Sequence, residues 1–453
     1  MHRFRGLKQE WKPMLALAGP VVLAEVGWMF MGTVDTMMVG RVSAEAIGAV
    51  SMGTAIFLAV AIFGMGLLLG LDTLVSQAFG AGRIEDCHRS LIHGVYLSLL
   101  LTPPLTAIIL LIMPLLDWWG MDPEVLELTV PYLKIITGSI LPLLLYASFR
   151  RYLQAMGLVK PVMVVLLTAN VVNAITNWVL IFGNWGAPAL GVEGAGWATF
   201  TSRTYMSVAL LAYIIYNDRR RRTGLLATSM ALEPARLRQL LALGLPAAGQ
   251  ITLELGIFAA ATVLAAKLDS ISLAAHQIAL TAASLTFMVP LGVSSAGAVR
   301  VGQALGRGDP EGAGLAGWTA LLVGGGFMSC GALAFLLFPE TIVRAFTSDA
   351  SVVAAGVSLL FVAAFFQLFD GVQVVATGIL RGSGDTRTPM LCNLVGHWVL
   401  GMPIGYGLCF WLGRGVVGLW VGLSLGLIAI GIVLLFVWNR RVSILHSAGS
   451  TLK

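Results

Sequence analysis

Three carboxylic acids, Asp35, Glu254 and Asp370, stand inside stretches that are otherwise almost wholly apolar. An acid at bilayer depth costs about 2.5–3.5 kcal/mol even on lenient insertion scales, so such positions are functional candidates. The chemistry open to a secluded carboxyl is to take up a proton, to ligate a hard cation such as Na+ together with amide and backbone oxygens, or to attract an organic cation. Residues 361–389 read FVAAFFQLFDGVQVVATGILRGSGDTRTP. At helical spacing Gln367, Asp370, Gln373, Thr377 and Arg381 fall on one stripe. A polar stripe on an apolar helix needs protein or water to face, not lipid. Asp370 lies roughly 16 Å along the helix from Arg381, about half of a ~30 Å hydrocarbon layer. Glu254 lies 16 residues after Arg238 and 13 before Lys267, also near mid-depth, with Gln250 one turn earlier. Asp35 precedes Arg41 by roughly 9 Å of helix and so falls in an outer half. Its face carries Trp28, Met31, Gly32 and Met38, which read either as core or as an adaptable ligand surface.

Glu254, Asp370 and Asp35 are the expected coupling-ion residues, the first two being the ligands if that ion is Na+. Asp35, Met31, Trp28, Gln250, Gln367, Gln373 and Asn173 are the expected substrate-cavity residues. Other polar groups in apolar runs carry two readings. Asp72 caps a helix end or pairs with an Arg, and Glu25 lies on a different face from Asp35. Lys134 and Arg203 snorkel or pair with an acid. Asn170, Asn173 and Asn177 line one helix, either opposite Asp35 or as packing groups. His276 and His397 read as hydrogen-bonded core histidines.

These residues need helices that cross a membrane. Of the 453 residues, 58% are hydrophobic and 11% charged, where a soluble protein carries about 25% charged. The mean hydropathy is +0.88. Twelve apolar runs occur, at about 15–40, 47–79, 90–116, 125–153, 162–182, 194–216, 241–266, 272–305, 314–338, 352–380, 390–411 and 416–438, each long enough to span. Pro20, Pro103, Pro104, Pro142, Pro246 and Pro290 are candidate kinks. The short basic start runs into a long apolar stretch and reads as a retained first helix. With the N-terminus inside, the inner side collects Arg3, Arg5, Lys8, Lys12, Arg83, Arg89, Arg150, Arg151, Lys160, Arg219 to Arg222, Arg236, Arg238, Arg300, Arg307, Arg381, Arg387, Arg440, Arg441 and Lys453. The outer side has Arg41, Lys267, Arg344 and Arg414. Both ends are therefore expected in the cytoplasm.

The halves repeat. At a shift of 226, Pro20 meets Pro246, IGAV (47–50) meets LAAH (273–276), and QAFGAG (77–82) meets QALGRG (303–308). LQAMG (153–157) meets LRGSG (380–384) at 227. Six helices per repeat place both copies in the same orientation. The expected fold is all-α and integral to the membrane, with an N-lobe over 1–216, a cytoplasmic linker over 217–240 and a C-lobe over 241–453. A substrate cavity between the lobes and rocking of one against the other are expected.

Several function classes are excluded. The net charge of +6 comes from basic residues between apolar runs, not from a basic face, so nucleic acid is not a partner. The six His and four Cys show no metal or CxxC spacing. No phosphate-binding loop, catalytic constellation or repeated filter sequence occurs, which argues against an ATP engine, an enzyme and a channel.

The segments GLDTLVSQAFGAG (70–82), AAHQIAL (274–280), VRVGQALGRGD (299–309), GILRGSGDTRTP (378–389) and NLVGHWVLGMPIG (393–405) resemble the multidrug and toxic compound extrusion (MATE) transporters. The likeness covers essentially the whole chain. VDTMMVG (34–40) and FDGVQVVATGILRG (369–382) are most similar to the bacterial NorM branch. The resemblance implies a two-lobe, twelve-helix exporter of organic cations, driven as an antiporter by Na+ or H+, monomeric, without a cofactor, in the inner membrane among lipids. It matches Asp370 and Glu254 to the acids of a second-lobe cation site and Asp35 to an ion-responsive acid of the first. A flippase or exporter of a lipid-linked or amphipathic metabolite is the rival reading.

Overall fold

The computed structural model of the chain describes residues 2–120 and 122–450. Lys453, counted above among the inner charges, lies outside the described residues, as do the side chains of Arg3, Arg5 and Lys8. Helix follows helix: α1 (His2–Val39), α2 (Ala44–Leu67), α3 (Gly70–Gly80), α4 (Ile84–Ile112), α5 (Pro123–Thr137), α6 (Ile140–Ala155), α7 (Val159–Phe182), α8 (Val192–Arg221), α9 (Pro234–Ala266), α10 (Ser270–Gly306), α11 (Pro310–Leu337), α12 (Pro339–Arg344), α13 (Ala350–Gly382), α14 (Arg387–Asn393), α15 (Met402–Tyr406) and α16 (Gly415–Ser450). Among the described residues there is no strand. Ten spans are long and apolar enough to cross a membrane, and α5–α6, bent by 47°, makes an eleventh if it is one broken span. The bend falls at Gly138–Ser139, and Pro142 stands in the first turn of α6, where its missing N–H costs no helical bond. The remaining expected run is α8, whose 30 residues suffice in length. Glu193, Arg203 and many Ser, Thr and Gly residues keep its composition below that of the other spans. Large apolar side chains such as Leu111, Phe30 and Phe365 are exposed, as lipid-facing surfaces require. Trp118, Trp119, Trp185 and Trp411 are exposed near helix ends, where indole rings anchor at headgroup level. The protein is a multi-pass, all-α membrane protein.

The helices fall into two compact units. The N-unit is Leu23–Ala248; the C-unit joins the start of α1, up to Val22, to the chain from Gly249 onward. Thus α1 and α9 each change unit two residues after a proline, Pro20 or Pro246. In the C-unit, Met14 and Ala18 of α1 enter a core with Val293, Ala320, Ile379 and Trp438. A second core gathers Ile257, Ala279, Leu360, Phe366 and Trp420. Helices α10 and α13 meet backbone to backbone: a Cβ at Gly382 would overlap the Ala298 carbonyl. That approach fixes the helix that carries Asp370.

Local chemistry repeats with the sequence. Ser43 caps α2 by accepting from Ala46 N at 3.1 Å, and Asp269, 226 residues on, caps α10 by accepting from Ser272 N at 2.7 Å. Gly82 and Gly308 both turn the chain at positive φ, 74° and 71°, a conformation glycine adopts without strain. After them Arg83 N bonds Ala78 O at 2.9 Å and Asp309 N bonds Ala304 O at 3.0 Å. The buried chemistry does not repeat: Trp28 stands at the position of Glu254, and Ala261 at that of Asp35.

Between α8 and α9 only residues 222–233 are non-helical in the main, with a single short turn at Leu225–Ala227. They are strapped to α4. Tyr96 Oη donates to Met230 O at 2.5 Å, His93 Nε2 accepts from Glu233 N at 2.8 Å, and His88 Nε2 lies 3.1 Å from Thr223 O. Asp218 accepts from Thr223 Oγ1 at 2.6 Å and from Leu225 N at 2.8 Å and Leu226 N at 3.2 Å. Burial alone would raise the Asp218 carboxyl, but these bonds outweigh it and hold it below its ordinary value. The Arg236 side chain, bonded to Glu233 at 3.2 Å, lowers that carboxyl too. Groups depressed on folding contribute stability above their unfolded pKa, about 3.9 for Asp and 4.3 for Glu, and lose it as pH falls through the folded values. Hydrogen exchange across 222–233 is therefore expected to hold steady in its opening equilibrium from about pH 7 to 5 and to loosen below about pH 4. Loosening that is already complete above pH 5 would take the strap's pH dependence away from Asp218 and Glu233.

Candidate functional site

In the C-unit, α9, α13 and α14 bring one cluster together. Gln250 and Glu254 are four residues apart on α9, and Gln250 Nε2 donates to Glu254 Oε2 at 3.1 Å. Asp370 and Gln373 project from α13 and are buried, while Glu254 is half-buried. Gln373 also lies toward the Glu254 carboxyl, and the Glu254 charge acts on Asp370. Gln373 Nε2 donates to Asn393 Oδ1 at 3.4 Å, and Asn393 Nδ2 donates to Pro389 O at 3.0 Å. Among the described residues no Lys or Arg lies within ion-pair distance of either acid. Two like charges with no fixed counter-charge repel, and a bound cation screens that repulsion. No group of three or more His, Cys, Asp or Glu side chains converges among the described residues. A hard cation here would therefore need amide oxygens beside the two carboxylates; Gln373 Oε1, buried and unbonded, is one such group.

Gln367 shares the stripe but turns elsewhere. Its Oε1 accepts from Thr286 Oγ1 at 3.1 Å and its amide nitrogen abuts Gly331, so it lies against α10 and α11. The two histidines part company. His276 is satisfied by Thr262 Oγ1 and Trp420 Nε1, both at 3.0 Å. His397 corrects the expectation of a hydrogen-bonded core histidine: both ring nitrogens are buried with no partner. It lies on a π-helical stretch, Leu394–Gly401, inside the run expected as one regular helix. Pro403 removes a donor from that ladder, and Gly396 and Gly401 press on the backbone of Gly426 in α16.

In the N-unit, Asp35 is buried at the meeting of α1, α7 and α8. Asn177 Nδ2 donates to its Oδ1 at 2.5 Å and to Asn173 Oδ1 at 3.1 Å, while Thr199 Oγ1 donates to Asp35 Oδ2 at 3.1 Å. Asn170 instead donates to Gly27 O at 3.1 Å and serves helix packing. Trp28 stacks on Tyr146 with ring centroids 6.1 Å apart, and Met31 is buried. Glu25 and Asp72 are ion-paired, with Arg150 and with Arg151 (3.4 Å), so these two arginines, grouped above with the inner loop charges, are residues of α6 tied to acids. Lys134 is exposed. Arg203 neither snorkels nor pairs: it is buried, bonds Ser139 Oγ at 2.6 Å and lies over the Phe57 ring. Sequence reasoning missed Thr199 and Asn393, since nothing about a single Thr or Asn in an apolar run says which neighbour it will meet.

Comparison with known proteins follows the same lines. The MatE family model matches residues 20–179 and 246–407, two segments whose starts are 226 residues apart, the shift of the internal repeat. The probable multidrug resistance protein NorM of Mesorhizobium japonicum is 37% identical over 441 residues, covering 96% of this chain and 94% of its own. The multidrug resistance protein NorM of Vibrio cholerae is 36% identical over 439 residues, covering 96% and 95%. Among solved structures, the eukaryotic MATE transporter AtDTX14 superposes with a TM-score of 0.88 at 21% identity, covering 98% of this chain and all of its own. A MOP superfamily transporter from Pyrococcus furiosus gives 0.86 at 19%, covering 96% and 97%. Two matched segments at the repeat spacing, and relatives alike along nearly their full length, mean that the chain belongs to the MatE family.

Proposed function

We propose that this protein is a multidrug exporter that moves organic cations out of the cell in exchange for Na+ or H+. The observation that carries the reading is the pair of acid clusters, half-buried Glu254 with buried Asp370 and buried Asp35, with no Lys or Arg among the described residues bridging any of the three acids. The names of the NorM relatives support multidrug efflux. Glu254 and Asp370, with Gln250 and Gln373, hold the coupling ion; Asp35, with Asn173 at its side, answers to protons or contacts the drug. If ion and drug compete for one carboxylate, or favour opposite-facing states, each lowers the other's affinity and antiport follows from linkage. The membrane potential adds about 2.3 kcal/mol per charge per 100 mV to inward ion movement. The chain works as a monomer in the inner membrane with both ends in the cytoplasm, its exposed Trp residues at the outer ends of helices. The N-unit and the C-unit are its moving parts, the start of α1 going with the C-unit core it enters, and it needs no cofactor and no catalytic step. A flippase for a lipid-linked glycan needs a cationic cavity; Arg150 and Arg151 are held by acids, and Lys134 and Arg203, in no ion pair among the described residues, are the cations that reading would use.

Proteoliposomes containing the full chain and a fluorescent cationic dye test this reading. Dye is expected to move when a Na+ step or a pH step is imposed, and the effective step names the ion. Silence under both gradients would remove the antiport reading, and translocation of a labelled lipid-linked glycan without dye movement would put a flippase in its place.

A further inference from the structure

The buried charges of the N-unit do not all cancel by contact. Glu25 has Arg150, Asp72 has Arg151, and Asp218 is satisfied by Thr223 and two backbone N–H groups, which leaves Asp35 and Arg203. Arg203 is only 6% exposed. Its guanidinium donates to Ser139 Oγ at 2.6 Å and sits 4.3 Å from the centroid of the Phe57 ring, but among the described residues no carboxylate reaches it. One hydroxyl and one aromatic face compensate a buried cation poorly. The acid whose charge Arg203 does feel is Asp35. Helix geometry accounts for this: Thr199, which donates to Asp35, precedes Arg203 by one turn of α8, so both look the same way. Tyr132 of α5 completes the cluster. It is bonded to Thr54 at 2.9 Å, is packed against Gly53 and Gly196, and senses both charges. The other groups at Asp35, from α7, are the neutral Asn173 and Asn177.

We propose that Arg203 is the fixed counter-charge of the Asp35 cluster, a specificity-determining residue that limits the cluster to one bound cation and so makes ion and organic cation exclude each other there. With Asp35 ionised, the two charges sum to zero. One proton, Na+ or organic cation takes the cluster to +1, and a second must enter against Arg203 with no carboxylate left to receive it. Without Arg203 the loaded cluster is neutral, and a second cation meets no such repulsion. The C-unit differs in kind: two carboxylates share its cluster, and among the described residues neither has a Lys or Arg within ion-pair distance.

This inference rests on Asp35 as a cation-facing acid, and its test separates it from the transport reading. Asp35→Asn mimics the cation-loaded cluster, and equilibrium binding of tetraphenylphosphonium is measured on the full chain in lipid nanodiscs. Binding to D35N is expected to be weak. Adding R203Q should tighten it by about tenfold or more, the scale of one removed like charge in a partly buried site. Adding R203K, which keeps the charge but not the planar contact with Phe57, should give no gain. No gain from R203Q, or an equal gain from R203K, overturns the assignment, the latter because packing and not charge would be responsible. Should D35N/R203Q fail to fold, D35N/R203M, which keeps an apolar stem on Phe57, carries the same expectation. Dye exchange by the wild type without the R203Q gain would sink the counter-charge and leave transport standing; the gain without dye exchange would do the reverse.

Discussion

Asp370→Asn is expected to abolish gradient-driven dye efflux while leaving the protein folded and at least as resistant to heat as the wild type. The side chains are nearly isosteric, so the packing of α13 against α10 survives. What disappears is one of the cluster's two carboxylates, neither of which has a Lys or Arg within ion-pair distance among the described residues. A charged hydrogen bond or ion contact contributes about 1.5–3 kcal/mol, so cation affinity at the cluster should fall roughly 10- to 100-fold. Coupled transport should fall to the passive leak. Stability should not fall, because the substitution also ends the repulsion between Asp370 and Glu254. The measurement pairs proteoliposome flux with thermal unfolding in detergent. Flux at the wild-type level would take Asp370 out of the mechanism; lost flux with a collapsed fold would make it a structural residue.

Glu25→Ala should destabilise the N-unit severely, and Arg150→Met should rescue it. Glu25 and Arg150 are both almost wholly buried and bonded to each other across 125 residues of sequence. Tyr146, one turn before Arg150 on α6, stacks on Trp28 of α1, so the pair lies inside a packed α1–α6 contact. Removing only the acid strands a guanidinium in a low-dielectric site, at a cost of about 3–5 kcal/mol. Replacing both charges with apolar groups removes the desolvation cost, so E25A/R150M should recover most of the loss. Thermal inactivation of the single and double variants decides it. An E25A protein as stable as the wild type would show that the pair contributes nothing.

The contrast between these acids shows what hydropathy could and could not reveal. Asp370 and Glu254 announced themselves because an isolated acid in an apolar helix is costly, and the amides beside them marked a face turned from lipid. The repeated turn at Gly82 and Gly308 lay within the matched QAFGAG and QALGRG segments, whereas the paired caps at Ser43 and Asp269 emerged only from the structure. Glu25 and Asp72 looked much like Asp35 in the sequence, yet their partners come from a helix more than a hundred residues away in one case and 79 in the other. No local pattern encodes such a meeting. The same holds for Arg203, whose neighbours come from α2 and from the bend between α5 and α6, and for His397, which lies on a locally widened helix and has no partner among the described residues. The unit boundaries at Val22 and Ala248 fall in mid-helix, where hydropathy is uniform and gives no mark.

Those boundaries bear on how the molecule is made. Glu10 on α1 finds its ion partner in Arg300, 290 residues later. At about 5–20 residues per second, the ribosome needs on the order of 15–60 s to supply that partner. During this interval a segment destined for the interior of a later-built core has no native neighbours there, and the loop that must close is among the longest in the chain. The N-unit, continuous from Leu23 to Ala248, can be completed first, but the C-unit closes only when its later helices recover a segment made before the N-unit. The nascent amino-terminal end has to be sheltered by lipid or an insertion factor until the carboxyl-terminal helices arrive.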